Sequence, residues 1–465
     1  MSSPPSDKDF QAVLDDHLKW WGLRRFESDE AYFRWQRQTL SAGDLAELNR
    51  LAEQKRSAGE IAETAFYDRT AHPHILPVLY SQRYDYYMAV GTAVAERIAG
   101  QIADLRASAS AAGPTLSVLD VGCGVGILTT FYARQFPEIA FVGIDRSEAS
   151  LTAARQQAEA LKLTNVRFEC CDVQQAAISG SYDLVISTHA LLQSEQDPGI
   201  PSRDWQTFDR TRDSAVQTNF EARTWLGPRL DHVCTALAPG GRLILFEKTR
   251  QLARRVPFQR ALAARSFRLC EPPAPIRYQV VEEVSDDGPL YVLRRRYDPP
   301  IFCKEGQGEV EDKGGTAWDE QPEPIEAAEW VRCSGSAVEL VRERLVQRHS
   351  TGVDSPDDAP LYENHSASAQ SVWSDLPQRS VLRDKTWNET TGYQMHVELG
   401  TAAEFVYLYQ ATNFDQRQLV VMEQARGSLL EDYYRELVEG TQQTGPGGQE
   451  PFARSALRVV PTNGS

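Results

Sequence analysis

Residues 117–147 read SVLDVGCGVGILTTFYARQFPEIAFVGIDRS. Val118-Leu119-Asp120-Val121 is short, apolar and β-branched, the composition of a buried parallel strand. Gly122, Gly124 and Gly126 follow at alternate positions. An apolar helical segment comes next, then a second buried strand, Ala140-Phe141-Val142-Gly143-Ile144, which ends on Asp145. The stretch is a βαβ unit with a glycine-rich first turn. Glycine lets the chain turn sharply and brings bare backbone up to a ligand. An acid ending the second strand is placed to accept the two hydroxyls of a ribose. The dinucleotide fingerprint G-x-G-x-x-G sets a pyrophosphate on a helix N-terminus. Here the run is D-x-G-x-G-x-G, and its leading carboxylate, Asp120, suits a cationic ligand better.

Asp120-Val121-Gly122-Cys123-Gly124-Val125-Gly126 resembles the first motif of class I S-adenosylmethionine-dependent methyltransferases, and four later segments follow in that family's order. Asp145, with Arg146 beside it, matches the ribose-binding acid. Glu169-Cys170-Cys171-Asp172-Val173 matches the segment that frames the adenine. Ser181–Ser187 matches the fourth strand, and Leu237–Leu245 the turn into the fifth. The resemblance covers roughly 80–297. It implies an α/β fold: a Rossmann-like, seven-stranded, mostly parallel sheet with helices on both faces and an antiparallel last strand. It implies S-adenosyl-L-methionine as methyl donor and in-line transfer of the methyl group. On this reading Gly122, Gly124 and Gly126 admit the donor, Asp120 meets its cationic amino-acid end, Asp145 and Arg146 lie at the ribose, and Asp172 and Val173 at the adenine. Arg83 or Tyr84, on the helix before the first strand, contacts the methionine end. Thr188 and His189 end the fourth strand and face the sulfur, and His189 is a candidate general base.

The chain has 465 residues, too many for one typical core. It divides into an N-terminal helical cap or lid over 1–79, the sheet domain over 80–297, a linker over 298–325, a C-terminal α+β domain over 326–440 and a tail over 441–465. A hydrophobic content of 41% and a charged content of 25% fit a soluble globular protein. No apolar run reaches the length of a membrane span, and the opening MSSPPSDKDF lacks the pattern of a signal peptide. Seven scattered cysteines with no C-x-x-C pair argue against a zinc site and fit a reducing cytoplasm. A net charge of −16 disfavours nucleic acid as the acceptor and leaves a small molecule or a peptide. The position after the fourth strand reads Ser187-Thr188-His189-Ala190 rather than N-P-P-Y or D-P-P-Y, which argues against amide and exocyclic-amine acceptors.

Apolar spacing predicts helices over Asp9–Ala58, Tyr80–Leu105 and Glu148–Leu163, the last capped by Ser147. Residues 193–225 exceed a usual connection, and Trp205, Phe208, Arg203, Arg210 and Arg212 make them a candidate acceptor-binding insertion for a carboxylate substrate. The runs Ile276–Val284 and Tyr291–Arg296 predict a hairpin of strands six and seven around Asp286-Asp287-Gly288. Further on, helices are expected over Glu326–Arg348, Ser366–Leu376 and Leu429–Val438, with strands over Gln394–Leu399, Glu404–Gln410 and Gln418–Gln424. So small a segment needs a surface to dock on, either the first domain or a second copy in a homodimer. His349, His365 and His396 are too dispersed for a metal site. Two other readings stay open: a non-catalytic scaffold that kept the fold, and an aminopropyl transferase on the same fold.

Overall fold

The computed structural model describes residues 7–57, 60–108, 116–192, 197–207, 209–280, 283–285, 288–295, 360–364, 368–376, 378–388, 392–402 and 404–443. The expected linker, the helix over 326–348 and most of the tail lie outside these residues. The chain separates into two units, Met1–Asp197 with Thr218–Arg250 and Pro257–Trp318, and Pro198–Gln217 with Gln251–Val256 and Asp319–Ser465.

The first unit opens with helices α1 (Asp7–Trp20), α2 (Asp29–Thr39), α3 (Ala42–Ser57), α4 (Glu60–Thr70), α5 (Leu76–Ser81) and α6 (Tyr84–Ser108). The single long helix expected from Tyr80 is therefore two, with Gln82 and Arg83 between them. Strands β1 (Ser117–Val121), β2 (Ala140–Asp145), β3 (Val166–Cys170) and β4 (Tyr182–Thr188) are joined through α7 (Ile127–Gln135) and α8 (Glu148–Ala160). After α9 (Ser214–Arg223) and α10 (Leu226–Ala236) comes β5 (Leu237–Phe246), then α11 (Leu252–Ala264), β6 (Phe267–Leu269), β7 (Ala274–Pro275), β8 (Tyr278–Val280), β9 (Glu283–Ser285) and β10 (Pro289–Arg295).

The strand order is β3-β2-β1-β4-β5-β10-β6. Strands β1 to β5 pair in parallel, and β10 runs antiparallel to both β5 and β6. That is the expected mostly parallel sheet with an inverted strand. The predicted hairpin needs correction. The sixth strand is Phe267–Leu269, ahead of both runs assigned to the hairpin. Tyr278–Val280 and Glu283–Ser285 instead pair as a separate two-stranded ribbon of β8 and β9. The fifth strand starts at Leu237, ahead of the Pro239-Gly240-Gly241 turn, with a register shift between Tyr182 and Leu184 on its partner.

Of the N-terminal helices, α1 is core. Phe10, Leu14 and Leu18 are fully buried among Val90, Val94, Phe131 and Ile186. Their helical spacing therefore marks packing. Leu40, Leu48, Ile75 and Val78 make a smaller cluster of their own.

The second unit is a five-stranded antiparallel sheet in the order β11-β15-β14-β13-β12, formed by β11 (Tyr362–Asn364), β12 (Gln378–Asn388), β13 (Tyr393–Ala402), β14 (Phe405–Thr412) and β15 (Arg417–Glu423). It has two strands more than the sequence suggested. Helix α13 (Gly427–Gln443) covers the face bearing Met395, Val397, Leu399 and Leu408. The opposite face carries Tyr407, Tyr409, Leu419 and Val421, and is covered by α12 (Ser368–Asp375) together with Trp205.

The insertion thus contributes core to this unit. Trp205 lies flat on His396 with ring centroids 4.2 Å apart. Arg417 Nη2 donates to the Trp205 carbonyl at 2.6 Å, Ser202 Oγ donates to the Asn413 carbonyl at 2.8 Å, and a buried Arg210 is paired with Asp415. Trp205→Ala should lower stability by about 3 kcal/mol, the usual cost of emptying a core aromatic site. Chemical denaturation of the full chain measures this, and an unmoved transition would contradict the assignment.

Candidate functional site

Among the described residues a cavity of about 780 Å³ opens in the first unit at the C-terminal ends of the parallel strands. Its floor is the point where chain order reverses, with β1 between β2 and β4. Open α/β sheets bind ligands there because the connections leave β1 and β4 toward opposite faces.

The turn after β1 is shaped by close approach. Gly122 has φ +74, and a Cβ on it would stand 2.4 Å from the Ala190 Cβ. Only glycine allows that conformation and that contact together. Gly124 has φ +53, lines the cavity, and has nothing within 4 Å of where a Cβ would be, so bare backbone faces open space. Gly126, at φ +81, opens α7. A Cβ there would stand 2.8 Å from the Ala154 Cβ, and Gly126 does not line the cavity.

Asp145 takes 2.9 Å hydrogen bonds from the amides of Gly124 and Ser147, which fix its carboxylate at the cavity wall. Burial raises its pKa, and those amides pull it back. Asp120 is buried and accepts a 2.5 Å hydrogen bond from Thr129 Oγ1. Desolvation pushes its carboxyl up to about 7. Asp172 accepts from the Gln174 amide at 2.9 Å and lines the cavity together with Val173, Arg146 and Thr188. Tyr84 is placed differently from the sequence reading. It is buried, donates to Asp15 Oδ1 on α1 at 2.6 Å, and does not line the cavity.

Arg83 does line it. Its guanidinium lies 4.2 Å from the centroid of the Tyr86 ring, and Nη2 donates to His189 Nδ1 at 3.2 Å. A guanidinium can only donate, so Nδ1 is the acceptor and the proton of a neutral ring sits on Nε2. The basic lone pair of His189 is already taken, which counts against the general-base role. His189 is held at φ +56, between the rings of Tyr86 and Phe246.

Two residues that sequence reasoning missed hold this turn. Glu247 is fully buried and accepts from the amides of Ala190, Leu191 and Leu192 at 3.0, 2.8 and 3.3 Å. Arg229 on α10 donates to the carbonyls of Ala190 and Leu191 and to Gln174 Oε1. The available signal was position, because Glu247 follows β5 at the edge where Asp145 ends β2. The insertion's Trp205, Arg203, Arg210 and Arg212 do not line the cavity, whereas Asp197, Arg223 and Trp225 at its two ends do. Phe208 lies outside the described residues.

A profile of the methyltransferase-domain family matches residues 113–266. The trans-aconitate 2-methyltransferase of Deinococcus radiodurans is 39% identical over 93 residues, 20% of this chain and 34% of that protein. The malonyl-[acyl-carrier protein] O-methyltransferase of a Paenibacillus species is 29% identical over 146 residues, 31% of this chain and 52% of that protein. The alignments therefore span a third to a half of those relatives. A solved magnesium protoporphyrin IX methyltransferase from Synechocystis PCC 6803 aligns with 54% of this chain and 97% of its own, at 17% identity and a TM-score of 0.33, too low to add to what the strand order shows. Residues 113–266 therefore carry a methyltransferase domain.

Glu247 gives the site a pH signature. Burial raises its carboxyl to about 7, against three amide hydrogen bonds. The folded state therefore binds this proton more tightly than the unfolded chain, whose glutamate titrates near 4.5. The stability this contributes is fully present below about 4.5 and is lost as pH rises through about 7. Thermal melts at pH 5, 6 and 7 should show falling stability with rising pH, and Glu247→Gln should lessen that trend, the remainder coming from Asp120, whose carboxyl burial also raises to about 7.

Proposed function

We propose that the chain binds S-adenosylmethionine in this cavity and transfers its methyl group to a small-molecule or peptide acceptor. The observation that carries the reading is Gly124 and Asp145 side by side at the switch point, the one bare and open to the cavity, the other fixed by two amides. The residues suit the donor: a cavity of about 780 Å³ is large enough for a nucleoside with an acceptor beside it.

In this reading Asp145 accepts the ribose hydroxyls, Asp172 and Val173 border the adenine, and Asp120 and Arg83 hold the amino and carboxylate groups of the methionine end. The donor supplies an electrophilic methyl group when bound. The chain supplies alignment and water exclusion, with Tyr80, Tyr86 and Tyr87 walling the methyl position. His189 and Thr188 set that wall through their backbone, which the Glu247 and Arg229 contacts keep in place.

Isothermal titration with S-adenosylhomocysteine tests the reading. Wild type should bind, and Asp145→Ala should weaken binding by about ten-fold or more. Gly124→Ala should fold at a cost of about 1 kcal/mol for its left-handed φ of +53, since its Cβ meets nothing, yet lose affinity because that Cβ enters the cradle. Equal affinity in all three would contradict the placement. Asp120 must be ionised to meet an ammonium group, so affinity should fall as pH drops from 8 to 6, and Asp120→Asn should remove that dependence.

A further inference from the structure

Helix α4 lies outside the matched residues 113–266, yet it reaches the cavity. Phe66 and Tyr67 line it together with Asp145, Arg146 and Ser150. The next residue, Asp68, ties the helix to the start of α8. Ser147 Oγ donates to Asp68 Oδ1 at 2.7 Å. Ser147 is 1% exposed, so its hydroxyl needs a partner within the protein, and a carboxylate is a strong acceptor for it. On the other side of α4, Arg69 donates to Asp44 at 2.6 Å and to Glu47 at 2.8 Å, which joins α4 to α3. The cavity wall, the tie to α8 and the tie to α3 thus fall on four successive residues, 66 to 69.

Ser147 is also a residue that fixes Asp145. Its amide donates to Asp145 Oδ1 at 2.9 Å, and its Oγ accepts from the Ser150 amide at 3.1 Å. One serine therefore holds the Asp145 carboxylate, the first turn of α8 and, through Asp68, helix α4. Its hydroxyl proton goes to Asp68, which leaves the oxygen lone pairs to the Ser150 amide. Donation and acceptance through one hydroxyl strengthen each other. The place of α4 and the place of the Asp145 carboxylate are coupled by this residue. A ligand that binds Asp145 then favours the docked helix, and the docked helix favours the ligand by the same factor.

We propose that Asp68 is a positioning residue of the donor site: through Ser147 it steadies Asp145 and latches α4, so that Phe66 and Tyr67 wall in the bound nucleoside. This rests on the donor reading and adds to it a residue that sets how long the donor stays. Asp68 does not line the cavity, so its carboxylate acts through Ser147 and not on the ligand. Its effect belongs to the dissociation step, because a ligand walled by two aromatic side chains leaves more slowly than one open to water.

The test follows dissociation of labelled S-adenosylhomocysteine from the full chain after a chase with unlabelled ligand. Asp68→Ala should raise the rate about five-fold, the worth of one such hydrogen bond, and change the association rate less. Asp68→Asn keeps an acceptor for the Ser147 hydroxyl and should fall between wild type and Asp68→Ala. In a Ser147→Ala background, Asp68→Ala should add nothing, since the hydroxyl between them is gone. Equal dissociation rates in wild type and Asp68→Ala overturn the proposal, as does a lowered melting temperature with the rate unmoved. Effects that multiply in the double variant overturn it too. Should Ser147→Ala fail to fold, the order of wild type, Asp68→Asn and Asp68→Ala decides alone. Failure of wild type to bind S-adenosylhomocysteine is a separate result. It removes the donor reading, and the latch falls with it.

Discussion

The approach of Gly122 to Ala190 is the contact on which the site depends. It joins the turn after β1 to the turn after β4 so closely that no Cβ fits at residue 122. These two turns bound the crevice at which the order of the sheet reverses. Ala190 does not hold its place alone. Glu247 takes three successive amides of its segment, and Arg229 takes two of its carbonyls. A buried carboxylate without such donors would cost several kcal/mol. Here its lone pairs are spent on backbone that would otherwise lack partners, and the cavity floor gains a fixed shape.

From that floor the chemistry sorts itself. Strands β1 to β3 present acids, and the elements beyond β4 present mostly bases. The donor proposed here carries a cationic centre and hydroxyls, which match the first set. The arrangement supplies position and potential, and leaves reactivity to the bound partners.

Much of the first unit was legible in the sequence because its signals are local. The β-branched runs before Gly122 and Asp145, and the Ser147 cap, whose Oγ accepts from the Ser150 amide, are all set by neighbours a few residues away. What the sequence hid depends on distance. The sixth strand has three residues, too few to show a period. Glu247 meets partners 55 to 57 positions earlier, so its place just after β5 marks the edge it lies on but not the amides it takes. Tyr84 sits one residue from Arg83 yet points to α1, because successive helical positions face different directions. The insertion misled for a similar reason. Trp205 and Arg210 look like ligand-binding residues in a loop, but their partners, His396 and Asp415, lie in another part of the chain. Strand β12 mixes Arg, Asp and Lys with Val and Leu and shows little alternation, so it could not be read before its pairing with β13 was known.

The most direct measurement is a crystal structure of the full chain grown with S-adenosylhomocysteine. The account predicts the ribose hydroxyls on Asp145, the adenine beside Asp172 and Val173, and the sulfur facing the wall formed by Thr188 and His189. A nucleoside bound elsewhere, or a cavity closed by the chain's own side chains under saturating ligand, would contradict it.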